Sequence, residues 1–380
     1  MRFLHTADWQ LGMTRHFLDA DAQPRYTGAR LDAIGRIGEL AVRHGCAFVL
    51  VCGDVFESNA ISPRVVRRAL EAMGAAGVPL YLLPGNHDPL DASSIYTSAA
   101  FRDACPDTVR VLDGSGPVAV GEGVELVAAP WSSKRPTTDL VAEAIADLPA
   151  DGTLRVVAGH GMVDALSPDP TDPALVGLPV VEAALRSGRI HYLALGDRHS
   201  VTSVGDSGRI WYPGTPEVTD YDETAPGQVL VVDLDRDGGG SVGIGVRAHR
   251  VGTWSFTDLR LTVDGPDDVT ALDDALSALP AKDRTVVRLA LTGTLSLRDK
   301  AGLDAVLERH EQVFAAVRLW RRHTELAVYV DGEELGDLGV SGFAEAAAAE
   351  LADRARATGE DAERARDALS LLYRLAGGAR

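Results

Sequence analysis

Short, mostly apolar runs recur along the first 200 residues, and several of them end at a glycine, an aspartate or a histidine. Runs of this length and composition predict strands that are buried on both faces. Residues 29–43 and 64–76, which lie between the first three runs, have apolar side chains at helical spacing. This alternation predicts an α/β fold in which loops at the carboxyl ends of parallel strands carry the function. The runs are residues 2–5, 48–52, 80–83, 125–128, 155–158 and 191–195.

The pattern changes twice farther along the chain. Residues 210–212, 229–233 and 246–250 have strand character without helices between them, which predicts a second, more antiparallel sheet packed against the first. Between residues 256 and 320, strands and helices alternate again, which is typical of a small βαβαβ module. Two closing helices with thin apolar stripes are predicted at 343–357 and 360–375, as either a docked arm or a partner-binding hairpin.

Acidic side chains outnumber basic ones 55 to 37, giving a formal net charge of -18. A field of that sign repels nucleic acid and anionic membranes, so composition alone argues against a free-standing DNA-binding protein. Apolar residues make up 46% of the chain, which is ordinary for a globular protein and excludes a disordered one.

The cysteines Cys46, Cys52 and Cys105 form no C-x-x-C pair, so neither a disulfide framework nor a zinc knuckle is predicted. The start of the chain reaches Asp8 too early for the apolar core of a signal peptide. No run approaches the roughly 18 apolar residues that a membrane span requires. We therefore expect a cytoplasmic protein without a membrane partner.

Five of the predicted strands are followed at once by side chains that can bind a metal ion. Each segment alone is weak, because Gly-Asp is common in turns and a lone histidine beside a strand is more often structural. Together they bring carboxylates, imidazoles and an amide to one edge of a sheet, with glycines that allow close approach to an ion. The segments are Asp8-Trp9-Gln10, Gly53-Asp54, Gly85-Asn86-His87-Asp88, Gly159-His160 and Gly196-Asp197-Arg198-His199.

The order of these segments resembles the calcineurin-like metallophosphoesterase superfamily, and within it the SbcD nuclease subunits with their archaeal and eukaryotic break-repair counterparts. Residues 3–12 and Gly53-Asp54-Val55-Phe56 carry the likeness to that branch. The resemblance implies an α/β fold built as a four-layer α/β/β/α sandwich, with a small α+β capping domain and C-terminal helices. It divides the chain into a nuclease domain at 1–254, a capping domain at 255–335 and a partner-binding helical segment at 341–376.

The same resemblance implies a pair of divalent metal ions, Mn²⁺ or else Mg²⁺. Its motif positions give one ion the ligands Asp8, Gln10, Asp54 and His199, and the other the ligands Asp54, Asn86, His160 and Asp197. Gln10 and Asp197 stand where the family usually has histidine. Oxygen ligands in place of nitrogen should favour Mn²⁺ and Mg²⁺ over softer ions, and the change leaves open a different substrate or activity.

Two catalytic residues and two substrate contacts follow from the same motifs. His87 would protonate the leaving oxygen or steer the phosphate, and Asp88 would orient its imidazole. A helix-cap or turn role is an equal alternative for Asp88. Glu57 and Arg198 would lie against the substrate, with a solvated or ion-paired surface role as the alternative for each.

The function implied by the resemblance is a DNA exonuclease or endonuclease in double-strand break repair. It would act as a homodimer, with an SMC-like ATPase of the SbcC type bound through the C-terminal helices. One alternative is a metallophosphodiesterase for small nucleotides; small-substrate relatives rarely carry both a capping module and C-terminal helices. A second alternative is a non-catalytic scaffold, which the retained metal-capable side chains disfavour.

Overall fold

The chain divides into two units with separate cores. A computed structural model describes residues 1–236, 242–329, 341–357 and 359–377. The larger unit comprises Met1–His16 and Gln23–Trp254, and the smaller comprises Phe17–Ala22 and Ser255–Arg380. A short segment near the start of the chain therefore groups with the second unit.

The sheets of the larger unit are built of short strands, and all six predicted apolar runs are among them. The strands are β1 (Arg2–Thr6), β2 (Val49–Cys52), β3 (Leu80–Leu83), β4 (Val109–Val111), β5 (Val118–Gly121), β6 (Val124–Ala128), β7 (Leu154–His160), β8 (Tyr192–Gly196), β9 (Val201–Val204), β10 (Ile210–Pro213), β11 (Gln228–Arg236) and β12 (Val242–Arg250). The helices are α1 (Ala22–Arg43), α2 (Pro63–Gly74), α3 (Ala99–Arg102), α4 (Leu140–Ile145) and α5 (Leu178–Arg186).

These strands form two six-stranded sheets that are parallel at their centres. The first has the order β12-β11-β1-β2-β3-β4, with β11 and β12 antiparallel at one end. The second has the order β5-β6-β7-β8-β10-β9, with β6, β7, β8 and β10 parallel. The predicted placement of residues 229–233 and 246–250 in a second sheet is wrong. Those strands extend the first sheet, because β11 pairs with the edge of β1 that β2 leaves open.

Three apolar layers hold the sheets and helices together in the order α/β/β/α, as the resemblance implies. Helices α1 and α2 cover the outer face of the first sheet through side chains such as Ile34 and Val66. Phe3, Phe48 and Tyr192 belong to the layer between the sheets. Helices α4 and α5 cover the outer face of the second sheet. The central strands are buried on both faces, which is why they are continuous apolar runs.

The smaller unit is a parallel sheet covered by helices. Its strands are β13 (Ser255–Thr262), β14 (Thr285–Ser296), β15 (Ala316–Leu319) and β16 (Glu325–Tyr329), and its helices are α6 (Pro266–Ala278), α7 (Leu297–Glu311), α8 (Phe343–Ala355) and α9 (Glu360–Gly377). The long strand β14 pairs with the other three, all parallel. Helices α8 and α9 pack with Leu297 of α7 through alanines and Leu369. Residues 330–335 of the expected capping domain lie outside the described residues.

Among the described residues, no helix combines the length and apolar character needed to cross a membrane.

His5 joins the two sheets and should make the larger unit sensitive to acid. Its Nε2 donates to the Leu195 carbonyl at 3.1 Å and its Nδ1 accepts from the Tyr192 hydroxyl at 3.2 Å. Burial lowers the pKa of His5 to about 3. The unfolded chain takes up this proton near pH 6.5, so the free energy of unfolding should fall by about 2–3 kcal/mol between pH 6.5 and 4.5. Denaturant unfolding of His5→Gln should show a flatter pH dependence; curves parallel to those of the unchanged protein would contradict this.

Candidate metal centre

Loops from both sheets meet where the parallel strands end. In the first sheet, the amide of Asp8 donates to the Gly53 carbonyl at 3.1 Å, and that of Gln10 donates to the Asp54 carbonyl at 2.8 Å. Across the sheets, His160 Nδ1 donates to the Cys52 carbonyl at 2.9 Å. The ends of β1, β2 and β7 are thus tied together by hydrogen bonds that need no ligand.

The backbone is strained at four of the candidate ligands. Asp8, Gln10, Asp54 and Asp197 have φ angles of 53°, 43°, 52° and 95°. Only two other non-glycine residues in the described part of the chain, Ala225 and Ala281, have positive φ. Such conformations cost about 1–3 kcal/mol each and persist where the surroundings enforce them, most often at functional sites.

Two glycines are required by the crowding at this edge. A Cβ on Gly53 would lie 2.0 Å from His160 Nδ1, and one on Gly85 would lie 2.3 Å from an Asp54 carboxylate oxygen. Gly53 also has a φ of 86°, which side chains rarely adopt. These positions let the side chains of Asp54 and His160 approach each other.

Four of the predicted ligands form one connected group. Asp8, Asp54 and His160 are buried, and each offers a ligand atom within 4.8 Å of the others. Asp197 Oδ1 lies 3.7 Å from His160 Nε2, and its amide donates to both oxygens of Asp8 at 3.1 Å.

The amide side chains test whether an ion fits here. Asn86 Oδ1 lies 2.8 Å from His160 Nε2 and 3.1 Å from both carboxylate oxygens of Asp54. Electron-rich atoms at these distances repel one another unless the amide turns its NH₂ toward them or a proton or cation lies among them. Gln10 Oε1 is buried without a hydrogen-bond partner, while its Nε2 lies 3.2 Å from His199 Nε2. The residues therefore fit a divalent cation with oxygen and imidazole ligands.

The pKa values reflect this concentration of acids. Burial raises the pKa of Asp8 to about 7; His199 and His160 oppose the rise, and Asp54 and Asp197 add to it. Burial lowers the pKa of His160, but Asp54, Asp197 and Asp8 together raise it to about 9. Both shifts mean that the site attracts positive charge, which a metal ion would provide.

His87 lies at the open side of the group, with its side chain 39% exposed. Its amide donates to Asp54 Oδ1 at 3.0 Å, and Nδ1 donates to the Glu57 carbonyl at 2.9 Å. Nε2, 4.0 Å from Asp54 Oδ2, is therefore the ring nitrogen available to a substrate.

The hydrogen bonds of Asp88 match the turn role that the sequence left as an equal alternative to orienting His87. The carboxylate is buried and accepts hydrogen bonds from the amides of Gly85 and Phe56 and from the Tyr96 hydroxyl, at 2.8, 3.0 and 2.6 Å. It holds the loop after β3 against the loop after β2. The Glu57 carbonyl takes the orienting role instead.

The two residues expected to contact the substrate, Glu57 and Arg198, differ in their hydrogen bonding. Glu57 is half-buried beside His87, and its Oε2 is buried without a hydrogen-bond partner. Burial raises its pKa, and His87, Arg30 and Arg15 oppose the rise. The half-buried Arg198 donates to Thr202 Oγ1 at 2.8 Å.

His199 has two partners that sequence reasoning missed. Its Nδ1 lies 2.6 Å from Thr219 Oγ1 and 3.1 Å from Glu223 Oε1. Burial lowers the pKa of His199, but the hydrogen bond with Glu223 and the charge of Asp8 raise it overall. Both partners lie in a loop after β10 and follow no strand directly, so the rule that found the other residues did not flag them. Buried Arg30, which donates to the carbonyls of Trp9 and Val218, was missed for the same reason.

Parts of the chain are similar in sequence to known proteins. A family model described as calcineurin-like phosphoesterase matches residues 1–201, which include every proposed ligand. The DNA double-strand break repair protein Mre11 of Archaeoglobus fulgidus is 32% identical over 91 residues, or 23% of this chain. The matched part is 19% of that relative's length.

Solved structures give more distant likenesses. TT1561 of Thermus thermophilus is 11% identical with a TM-score of 0.42, covering 66% of this chain and 98% of that one. A dimetal phosphatase from Danio rerio is 13% identical with a TM-score of 0.36, covering 56% and 86%.

Proposed function

This chain belongs to the calcineurin-like phosphoesterase family, and from that premise we propose that it is a two-metal DNA phosphodiesterase of double-strand break repair. The family makes it a phosphoester hydrolase; DNA as the substrate is the proposal. One observation carries it: buried Asp8, Asp54 and His160 lie close enough together at the carboxyl ends of the strands to hold a metal ion. The 91-residue likeness to an archaeal break-repair protein supports DNA.

Two divalent cations, when bound, would supply the water activation and charge neutralisation that phosphodiester cleavage requires. Asp8, Gln10, Asp54 and His199 would hold one, and Asp54, Asn86, His160 and Asp197 the other. Mn²⁺ suits this mixture of oxygen and imidazole ligands, with Mg²⁺ as the second choice. His87 would hold or release the proton of the leaving oxygen through Nε2, because Nδ1 is committed to the Glu57 carbonyl.

A basic cluster on the smaller unit supports a polyanionic substrate. Helices α6 and α7 pack on one face of its sheet, and Arg260 points to the other, because its neighbours Leu259 and Leu261 join the apolar core. The guanidinium carbons of Arg288 and Arg260 lie 3.8 and 5.1 Å from the ring centroid of Trp320. Exposed Arg321, Arg322 and His323 follow in sequence. A protein of net charge -18 needs such a local surface to bind nucleic acid.

Removing this charge should weaken DNA binding without harming the metal centre. Arg260 and Arg322 line the same cavity of about 400 Å³. The double variant Arg260→Ala/Arg322→Ala should lower DNA affinity several-fold. The slope of log affinity against log salt concentration should become shallower by about two. Hydrolysis of a small phosphodiester should be unchanged. Arg354→Ala/Arg356→Ala, which removes the same charge at the C-terminal end of α8, is the matched control; equal losses in both variants would contradict a specific surface.

The C-terminal helices supply a surface for the proposed SMC-like ATPase. Phe343 in α8 is 91% exposed, and Leu371 and Leu375 in α9 are more than half exposed. Apolar side chains in a helical hairpin suit a partner's coiled coil. From the same resemblance, we propose that the protein is a homodimer and acts in the cytoplasm.

One experiment separates the proposed function from its alternatives. Cleavage of single-stranded and blunt-ended DNA with Mn²⁺, with and without the ATPase, is compared with hydrolysis of a small phosphodiester. DNA cleavage supports the proposal. Hydrolysis of the small substrate alone would favour a nucleotide phosphodiesterase, and no activity in any combination would favour a scaffold.

A further inference from the structure

The loop after β10 holds His199 from behind. Thr219 is buried and Glu223 nearly so, and their side chains lie against Nδ1, the ring nitrogen on the far side from Gln10. The Glu223 carboxylate also accepts from the amides of Thr219 and Asp220 at 3.0–3.1 Å, and from the Thr219 hydroxyl. These contacts of the Glu223 carboxylate are all with groups that can donate a hydrogen bond.

The hydrogen-bond donors around His199 determine which nitrogen of its imidazole carries the proton. Thr219 has one hydroxyl proton, and it goes to Glu223, which as a carboxylate has none to give. Thr219 Oγ1 can then only accept from His199, 2.6 Å away, so Nδ1 must carry a proton. In the neutral ring the lone pair is left on Nε2, which lies 3.2 Å from Gln10 Nε2.

The other candidate histidine ligand is fixed differently. His160 Nδ1 donates to the carbonyl of Cys52, a neutral acceptor, whereas His199 Nδ1 faces a charged one. A carboxylate behind a ligating imidazole makes Nε2 a stronger donor to a metal ion. His199 and Gln10 would hold the same ion, and the neutral amide of Gln10 would be a weak ligand. A stronger bond from His199 would therefore compensate for Gln10.

We propose that Glu223, both directly and through Thr219, is a positioning residue that fixes the Nδ1-protonated tautomer of His199 and strengthens its binding of one of two metal ions. This inference rests on the proposed metal centre. Its competitor is a purely structural role in which Glu223 only closes the turn at Thr219 and Asp220.

Two readouts distinguish these roles. In metal-free protein with ¹⁵N-labelled histidine, long-range imidazole spectra report the tautomer of His199, assigned by its absence in His199→Gln. We expect the Nδ1-protonated form, and a loss of that preference in Glu223→Gln. By calorimetry with Mn²⁺, Glu223→Gln should weaken one of two sites about 10–100-fold and leave the other unchanged. Thr219→Ser, which keeps the hydroxyl, should match the unchanged protein. Thr219→Val, which leaves the direct contact between Glu223 and His199, should weaken the same site less than Glu223→Gln does.

Each outcome decides the proposal. An Nε2-protonated His199 in the unchanged protein would overturn it, even if no variant folds. A Glu223→Gln protein with normal tautomer and affinities, but a lower melting temperature, would leave only the structural role. If the unchanged protein binds no Mn²⁺, the proposed function fails, and the strengthening of metal binding fails with it; the tautomer result still tests the positioning.

Discussion

Asp54→Asn is expected to abolish tight binding of both metal ions and to lower phosphodiester hydrolysis by about three orders of magnitude. Asp54 lies at the centre of the group, with Oδ1 3.4 Å from His160 Nε2 and both oxygens 3.1 Å from the Asn86 amide. Removing its charge would weaken the ligand that the two proposed ions would share. Several kcal/mol of transition-state stabilisation by the ions would be lost, which corresponds to a rate loss on the order of 10³-fold.

Asparagine is the right replacement because it isolates the charge. The φ of 52° at Asp54 lies in the left-handed region, which asparagine adopts as readily as aspartate. Calorimetry with Mn²⁺ and steady-state kinetics are the measurements. Asp147→Asn, which removes an exposed charge from the same unit, is the control. Two ions bound with unchanged affinity in Asp54→Asn would refute the ligand assignment.

His87→Gln should lower kcat by about 10²–10⁴-fold while both metal ions still bind. Its amide, not its ring, donates to Asp54 Oδ1, so that contact survives the substitution. A proton donor matters most when the leaving group is a poor one. The loss should therefore be large on DNA and small on a diester with a nitrophenolate leaving group, which departs without a proton.

The comparison between substrates decides what His87 does. Equal losses on both would mean that His87 orients the phosphate and does not deliver a proton. Loss of metal binding in His87→Gln would mean that the variant has disturbed Asp54 and reports on the ligands instead. Asp88→Asn is unsuitable as a control, because its carboxylate holds the loop that carries His87.

The strand ends could be predicted from the sequence because parallel strands that are buried on both faces have a distinctive composition. Each is a continuous apolar run, and the first polar residue after it marks the sheet edge, as at Asp54 after Val49–Cys52. Pairing was less predictable, because an apolar run does not identify its partner strand. Residues 229–233 were therefore expected in the wrong sheet.

Side-chain partners were the least predictable part of the centre. Asp88 follows His87 directly, which suggested a contact, but it faces Tyr96. Glu223 lies 24 residues beyond His199 in sequence and reaches it only because the chain folds back after β10. Sequence patterns identify groups that can bind a metal, whereas the hydrogen bonds that orient them depend on loop geometry.

The grouping of Phe17–Ala22 with the second unit affects how the chain can be divided. The Phe17 ring packs on Phe256 at 5.8 Å, and the Arg318 guanidinium lies 4.6 Å from its centroid. A protein shortened to residues 1–254 would keep every proposed ligand but lose the contacts of this ring with Phe256 and Arg318. The ring lies seven residues from Gln10, in the segment that follows two proposed ligands. A single cut after Trp254 therefore does not separate the two units, because Phe17–Ala22 of the second unit would remain with the first.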